Sequence, residues 1–372
     1  MASLKNKRIV IKLGTSTITH GSKHLDRAHM LEIVRVVHQL IEKKAQVVLV
    51  SSGAIAAGRE YLNYPELPKD VCYKQMLASV GQVKLIEEWE KLFNIYNLRV
   101  GQILLTRADL ESRERYLNAR DTLFSCLEMG VVPIINENDA VGIAEIKVGD
   151  NDNLAALSAV LIEASQVILL TDQKGLYTSD PRKNKDAKLI KVVDKIDEHI
   201  NEIAGGSGTT LGTGGMATKI KAAKVATEAG VEMIIGSGDN PSDILAFVQG
   251  NGECTTFKPS HKPVLARKSW LSTATRAVGT IVVDNGAANA LVNKGSSLLP
   301  KGIIETKREF LRGATVEVVD EKGNLIARGL TRYSSDELNL ILRKSSKDIE
   351  KILGFTHGDE AIHRDDLVLI EK

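Results

Sequence analysis

Arg8-Ile9-Val10-Ile11-Lys12-Leu13-Gly14-Thr15-Ser16 is the stretch that decides the fold of this chain. Its nearly continuous apolar run reads as a buried strand that ends in a Gly-Thr-Ser turn. Downstream, Leu31, Val34, Val37, Leu40 and Ile41 recur at helical spacing, and Gln46-Val47-Val48-Leu49-Val50 is a second apolar run ending in Ser51-Ser52-Gly53. Further strands are expected at 100–105, 131–135, 166–170 and 233–235, with helical segments between most of them. Strand, loop and helix in repetition predict an α/β domain with a mainly parallel central sheet. Ligands of such sheets bind outside the carboxyl ends of the strands. The loops GTST, SSGA, NEND, TDQKG and GSGD are therefore expected along one edge.

Beyond residue 258 the pattern changes. Residues 259–276 hold Pro259, Pro263 and four cations (Lys262, Arg267, Lys268, Arg276) without a carboxylate, which reads as a linker. After it come a strand at 279–283, a short helix at 287–293, and strands at 314–319 and 325–330. The last two flank Asp320-Glu321-Lys322-Gly323-Asn324, a hairpin turn with glycine. The expected organisation is a catalytic domain over 1–258, a linker over 259–276 and a small β-rich domain over 277–372.

Composition bounds the function. The 372 residues are 43% hydrophobic and 26% charged with a net charge of +2, which makes neither nucleic acid nor a membrane surface an obligatory partner. Cys72, Cys126 and Cys254 fit neither a disulfide framework nor a zinc site and read as buried thiols of a reducing compartment. No signal peptide and no apolar run of membrane-spanning length is evident, so a cytoplasmic protein with no membrane partner is expected.

The motifs point to phosphate. A P-loop GxxxxGK[ST] is absent, and so is a GxGxxG at the first strand. Lys12 and Gly14 offer a cation and a turn of amides at a strand end, although Lys12 can equally be a structural lysine. Gly212-Thr213-Gly214-Gly215-Met216-Ala217-Thr218-Lys219 precedes an Ala-rich helix. A lysine in a first helical turn opposes the helix dipole unless an anion lies nearby. The alternative is a loop with Lys219 in solvent. Lys147-Val148-Gly149-Asp150-Asn151-Asp152-Asn153 opens another helix, where capping accounts for one acidic residue but not the cluster. It lacks the glycine and terminal glutamate of a calcium loop. Thr171-Asp172-Gln173-Lys174-Gly175 can line a nucleotide or merely connect elements. Ser52 in its small, hydroxyl-rich loop can receive a carboxylate, and Asn136-Glu137-Asn138-Asp139 can accept from an ammonium group. Plain turn and polar loop are the competing readings of these two.

Taken in order and spacing, IKLGTS, VSSGAIAAG, INENDA, KVGDNDNLAAL, LTDQKGLYTSDPR and GTGGMATK resemble the glutamate 5-kinases of the amino acid kinase family. Residues 295–303, 310–320 and 327–335 resemble a PUA domain. The resemblance covers nearly the whole chain. It implies a three-layer α/β sandwich with a mainly parallel sheet, and ATP-dependent phosphorylation of the L-glutamate side-chain carboxylate to L-glutamyl 5-phosphate, the first step of proline biosynthesis. Carried onto this sequence, it implies that Lys12, Asp152 and Lys219 are catalytic, with Asp152 organising the two lysines. ATP falls to Lys12, Gly14, Thr171, Asp172 and the loop Thr213, Gly214, Gly215, Met216, Ala217, Thr218, Lys219. Glutamate falls to Ser52, Asn136, Asp139, Asp150 and Asn151. Mg2+ is implied mainly on the ATP phosphates, with no protein metal site assigned. Feedback inhibition by proline, a homo-oligomer (dimer or tetramer) and a glutamyl phosphate reductase as a partner are further implications.

Two rival readings follow. PUA domains elsewhere bind RNA, but residues 277–372 hold 14 Lys/Arg against 15 Asp/Glu, which lacks the charge that phosphate binding needs. RNA is therefore not expected. The second rival is a kinase of the same superfamily acting on acetylglutamate, aspartate, carbamate or UMP, which only the acceptor loops would distinguish.

Overall fold

The computed structural model describes residues 4–142, 151–205, 215–259 and 277–370. These fall into two compact units, one built on a large sheet and one on a small sheet; Glu111–Asn118 groups with the second. Of the expected linker, residues 260–276 lie outside the described residues.

The large sheet holds β1 (Arg8–Leu13), β2 (Gln46–Ser51), β3 (Arg99–Leu105), β4 (Val131–Glu137), β5 (Gln166–Thr171), β6 (Val192–Val193), β7 (Glu232–Ser237) and β8 (Cys254–Phe257), in the order β3-β4-β2-β1-β5-β7-β8-β6. It is parallel from β3 to β7, and β8 runs antiparallel to β7. Strand β1 lies between β2 and β5, so the chain crosses to the other half of the sheet next to β1. That is a topological switch point, where open α/β sheets form their ligand crevice. β6 and β8 were not legible as strands: β6 is two residues long, and β8 carries buried polar Thr255 and Thr256.

Alternation along β1 divides its side chains between two helical layers. Ile9, Ile11 and Leu13 pack into a core with Met30, Ile33, Val34, Val37 and Leu40 of the helix Arg27–Glu42 and with Leu85, Trp89 and Phe93 of the helix Val71–Asn94. Leu31 and Ile41, expected on the same stripe, are only partly buried at its rim. Asp26 starts the helix Arg27–Glu42 by accepting from the His29 amide at 3.0 Å. The helices Asn151–Leu161 and Met216–Glu228 pack on each other, the first against β1 and β5 and the second against β7. The free thiols depart from expectation: Cys254 is buried, Cys126 half-buried and Cys72 exposed in the first turn of its helix.

The helices Ala54–Tyr61 and Val71–Asn94 cross at backbone contact. A Cβ on Gly81 would lie 1.8 Å from the Ala54 carbonyl oxygen and 2.3 Å from the Gly58 nitrogen. Backbone cannot step aside as a flexible side chain does. Gly81→Ala is therefore expected to lower stability by about 3 kcal/mol, at the upper end of overpacking costs. Urea denaturation of both proteins checks this, and an unchanged midpoint would show that the crossing relaxes freely.

The small sheet has the order β10-β9-β11-β12-β13, with β9 (Gly279–Val283), β10 (Ile303–Lys307), β11 (Thr315–Val319), β12 (Leu325–Leu330) and β13 (Leu367–Leu369). β11 and β12 form the expected hairpin, closed by the Asp320 amide donating to the Asn324 carbonyl at 3.0 Å. The expected short helix extends to Asn285–Lys294, capped by Asp284. Ile281, Val283, Val316, Val318, Tyr333 and Ile341 are among the residues of its core.

Candidate active site

Lys12 faces away from Ile11 and Leu13, toward the layer formed by the helices Asn151–Leu161 and Met216–Glu228. Those helices bring Asp152 and Lys219 to it. Lys12 Nζ lies 2.6 Å from Asp152 Oδ1, and Lys219 Nζ lies 3.0 Å from Asp152 Oδ2. Each lysine thus takes its own carboxylate oxygen. The three residues are 8%, 5% and 1% exposed for Lys12, Lys219 and Asp152, so these ion pairs are largely shielded from water. Burial pushes the Asp152 carboxyl up, but the two ammonium groups outweigh it and hold the carboxyl below its usual range. The trio carries one positive charge in excess, and its two lysines line a cavity of about 670 Å³, with Asp152 behind them.

Lys219 sits in the first turn of its helix, as expected. The reason for its placement differs from the sequence argument: the Asp152 carboxylate, not only a bound anion, offsets its conflict with the helix dipole. Asp152 likewise is no cap; it lies inside its helix and reaches across to the lysines. Gly215 begins the helix Met216–Glu228 without a side-chain cap, which leaves first-turn amides to other acceptors. Thr218 Oγ1 lies 3.1 Å from Asp152 Oδ2 and 2.7 Å from the Gly215 carbonyl.

The cavity also gathers residues from the ends of β2, β4 and β5. Ser52, Asn136, Asp139, Asn151, Thr171 and Asp172 line it beside Lys12, Gly14 and Lys219. Asn151 Nδ2 donates to Ser52 Oγ at 2.7 Å and to Asn136 Oδ1 at 3.2 Å. Thr171 Oγ1 donates to Asp172 Oδ1 at 2.9 Å. Trp89 Nε1 donates to Ser51 Oγ at 3.1 Å, which ties the end of β2 to the helix Val71–Asn94. Gly53, at φ 102°, turns the chain from β2 into the helix Ala54–Tyr61; any Cβ there would lie 2.2 Å from Ile18 Cδ1.

Of the expected site residues, Asp150, Thr213 and Gly214 lie outside the described residues. Met216, Ala217 and Thr218 open the helix of Lys219. Sequence reasoning passed over Arg59, Thr15 and Ser16, which also line the cavity. Arg59 lies on the helix Ala54–Tyr61 that opens directly after the Ser52-Gly53 turn, and a cation on that short helix was the available signal.

The family model described as the amino acid kinase family matches residues 7–237, more than half of the chain, and that stretch contains all these cavity-lining residues. The chain belongs to the amino acid kinase family. A PUA domain model matches residues 279–353, which hold β9 to β12 of the small sheet. The glutamate 5-kinase of Aliivibrio fischeri is 57% identical over 366 residues, 98% of this chain and 99% of that protein. That of Aliivibrio salmonicida is 56% identical over 366 residues, again 98% and 99%. That of Haemophilus influenzae is 55% identical over 370 residues, 99% of this chain and 100% of that protein. This kinase-family chain thus groups with full-length glutamate 5-kinases rather than with one shared domain. No helix among its described residues is long and apolar enough to cross a membrane.

Proposed function

We propose that this enzyme transfers the γ-phosphoryl group of ATP to the side-chain carboxylate of L-glutamate, yielding L-glutamyl 5-phosphate and ADP. The observation that carries the chemistry is the pairing of Lys12 and Lys219 on opposite oxygens of buried Asp152. The likeness to glutamate 5-kinases over the full chain carries the choice of substrate.

The acceptor is a carboxylate with an ordinary pKa of about 4.3, so it is ionised at neutral pH and needs no general base. One of its oxygens attacks the γ-phosphorus as the bond to the ADP oxygen breaks. The barrier lies in bringing two anions together in line, which is a problem of positioning and charge. Lys12 and Lys219 neutralise the transferring group, and Asp152 holds them apart and aimed at it. Lys12, Gly14, Thr171, Asp172 and the segment from Thr213 to Lys219 hold the nucleotide. Ser52, Asn136, Asp139, Asp150 and Asn151 hold glutamate. Asp152 is already shared by two lysines, which suits an organiser of cations rather than a metal ligand. Mg2+ would sit mainly on the nucleotide phosphates, where it would supply further charge neutralisation, with no protein ligand assigned to it.

The same reading places the enzyme at the first step of proline biosynthesis in the cytoplasm. It includes inhibition by proline, a dimer or tetramer and delivery of product to a glutamyl phosphate reductase. Its domain limits are 1–258 and 277–372, joined by 259–276.

Trapping the acyl phosphate with hydroxylamine tests the substrate. Glutamate with MgATP is expected to yield the hydroxamate, whereas acetylglutamate and aspartate yield little. Product from another acid and none from glutamate would reject the assignment.

A further inference from the structure

Gln82 lies on the helix Val71–Asn94, one residue beyond the close crossing at Gly81, and is 9% exposed. A glutamine in a long helix ordinarily faces solvent. This one enters a chain of side-chain amides whose direction can be deduced. The Glu137 backbone N–H can only donate, and it meets the Asn136 side-chain oxygen at 2.8 Å. Asn136 therefore presents Nδ2 on its other side, where it donates to Gln82 Oε1 at 2.7 Å. The same Asn136 oxygen accepts from Asn151 Nδ2, which also meets Ser52 Oγ. With Nδ2 committed, Asn151 has only Oδ1 left to offer. That oxygen is buried and has no hydrogen-bond partner among the described residues.

We propose that Gln82 is a positioning residue for the acceptor substrate. By accepting from Asn136 Nδ2 it anchors the amide chain in the direction that the Glu137 amide sets, and so holds Asn136, Asn151 and Ser52 in one arrangement on the cavity wall where the acceptor is held. The inference rests on the amino-acid substrate proposed above. A purely structural Gln82 would instead affect stability and leave the Michaelis constants alone.

The test is steady-state kinetics of Gln82→Met and Gln82→Leu, two apolar side chains of different shape, so that poor packing of one does not decide the result. Each leaves Asn136 Nδ2 without its acceptor and is expected to raise KM for glutamate about tenfold, the effect of one lost buried hydrogen bond. The KM for ATP and kcat are expected to stay within about twofold. Gln82→Glu keeps an acceptor oxygen and is expected to recover most of the lost glutamate affinity. In an Asn136→Ala background, Gln82→Met is expected to add nothing, because both act through one chain. An unchanged glutamate KM in folded variants would overturn the proposal, as would equal effects on ATP or full additivity with Asn136→Ala. If the unaltered enzyme phosphorylates a different acid, the substrate reading fails separately, and the same KM comparison on that acid decides the role of Gln82.

Discussion

Lys219→Met is expected to lower kcat by about 10²–10³-fold, the usual cost of removing one preorganised donor from developing transition-state charge. Methionine keeps the length and apolar stem of the side chain, so packing along the helix Met216–Glu228 should persist. Asp152 retains Lys12 at 2.6 Å as its partner, and no carboxylate is left unpaired. The folded state should accordingly hold, with the loss confined to catalysis. Circular dichroism and thermal melting establish the first point, and single-turnover phosphoryl transfer the second. Turnover near that of the unaltered enzyme would remove Lys219 from the mechanism.

Asp152→Asn is expected to affect both catalysis and stability. The substitution preserves shape but leaves two buried ammonium groups around a neutral amide, one of whose ends is itself a donor. Breaking a buried ion pair costs about 3–5 kcal/mol, and the melting temperature is expected to fall on the order of 10 °C. kcat is expected to fall sharply because neither lysine is then aimed. The pH dependence carries the same signature. The Asp152 carboxyl titrates below its usual range in the folded protein, so its contribution is fully present above the unfolded pKa of about 3.9 and is lost as pH falls through the lower folded value. The stability gap between the two proteins should therefore be constant near neutrality and shrink in acid. Melting curves from pH 7 down to pH 3 check this, and a gap independent of pH would mean that the charge of Asp152 is not what stabilises the trio.

The fold was legible where burial is two-sided. β1, β2 and β5 are continuous apolar runs, and their ends were placed within one residue. β10 was missed because only its first residue is fully buried, which leaves little pattern to read. At the site, glycine-rich turns and out-of-place charges marked Lys12, Asp152 and Lys219. Their mutual contact could not be read from spacing, because it depends on which face of β1 carries Lys12 and which helices cover that face. Asp152 illustrates the limit: in sequence it looks like a helix cap, and only tertiary packing shows two lysines around it. Gln82 left no signal at all, since a buried glutamine and a solvated one look alike in a helical stretch.

The position of β1 between β2 and β5 also bears on how such an enzyme can change its acceptor. The lysines reach the cavity from β1 and from the helix Met216–Glu228, whereas Ser52 and Asn136 arrive from β2 and β4. On the proposed function, phosphoryl handling and acceptor recognition thus come mostly from different stretches of chain, which share only the start of the helix Asn151–Leu161, where Asn151 stands next to Asp152. On the same proposal, alteration of the loops after β2 and β4 is expected to retune the choice of acid without touching Lys12 or Lys219. The switch point is then a seam between two neighbourhoods of the site, one that would handle the phosphoryl group and one that would choose the acid.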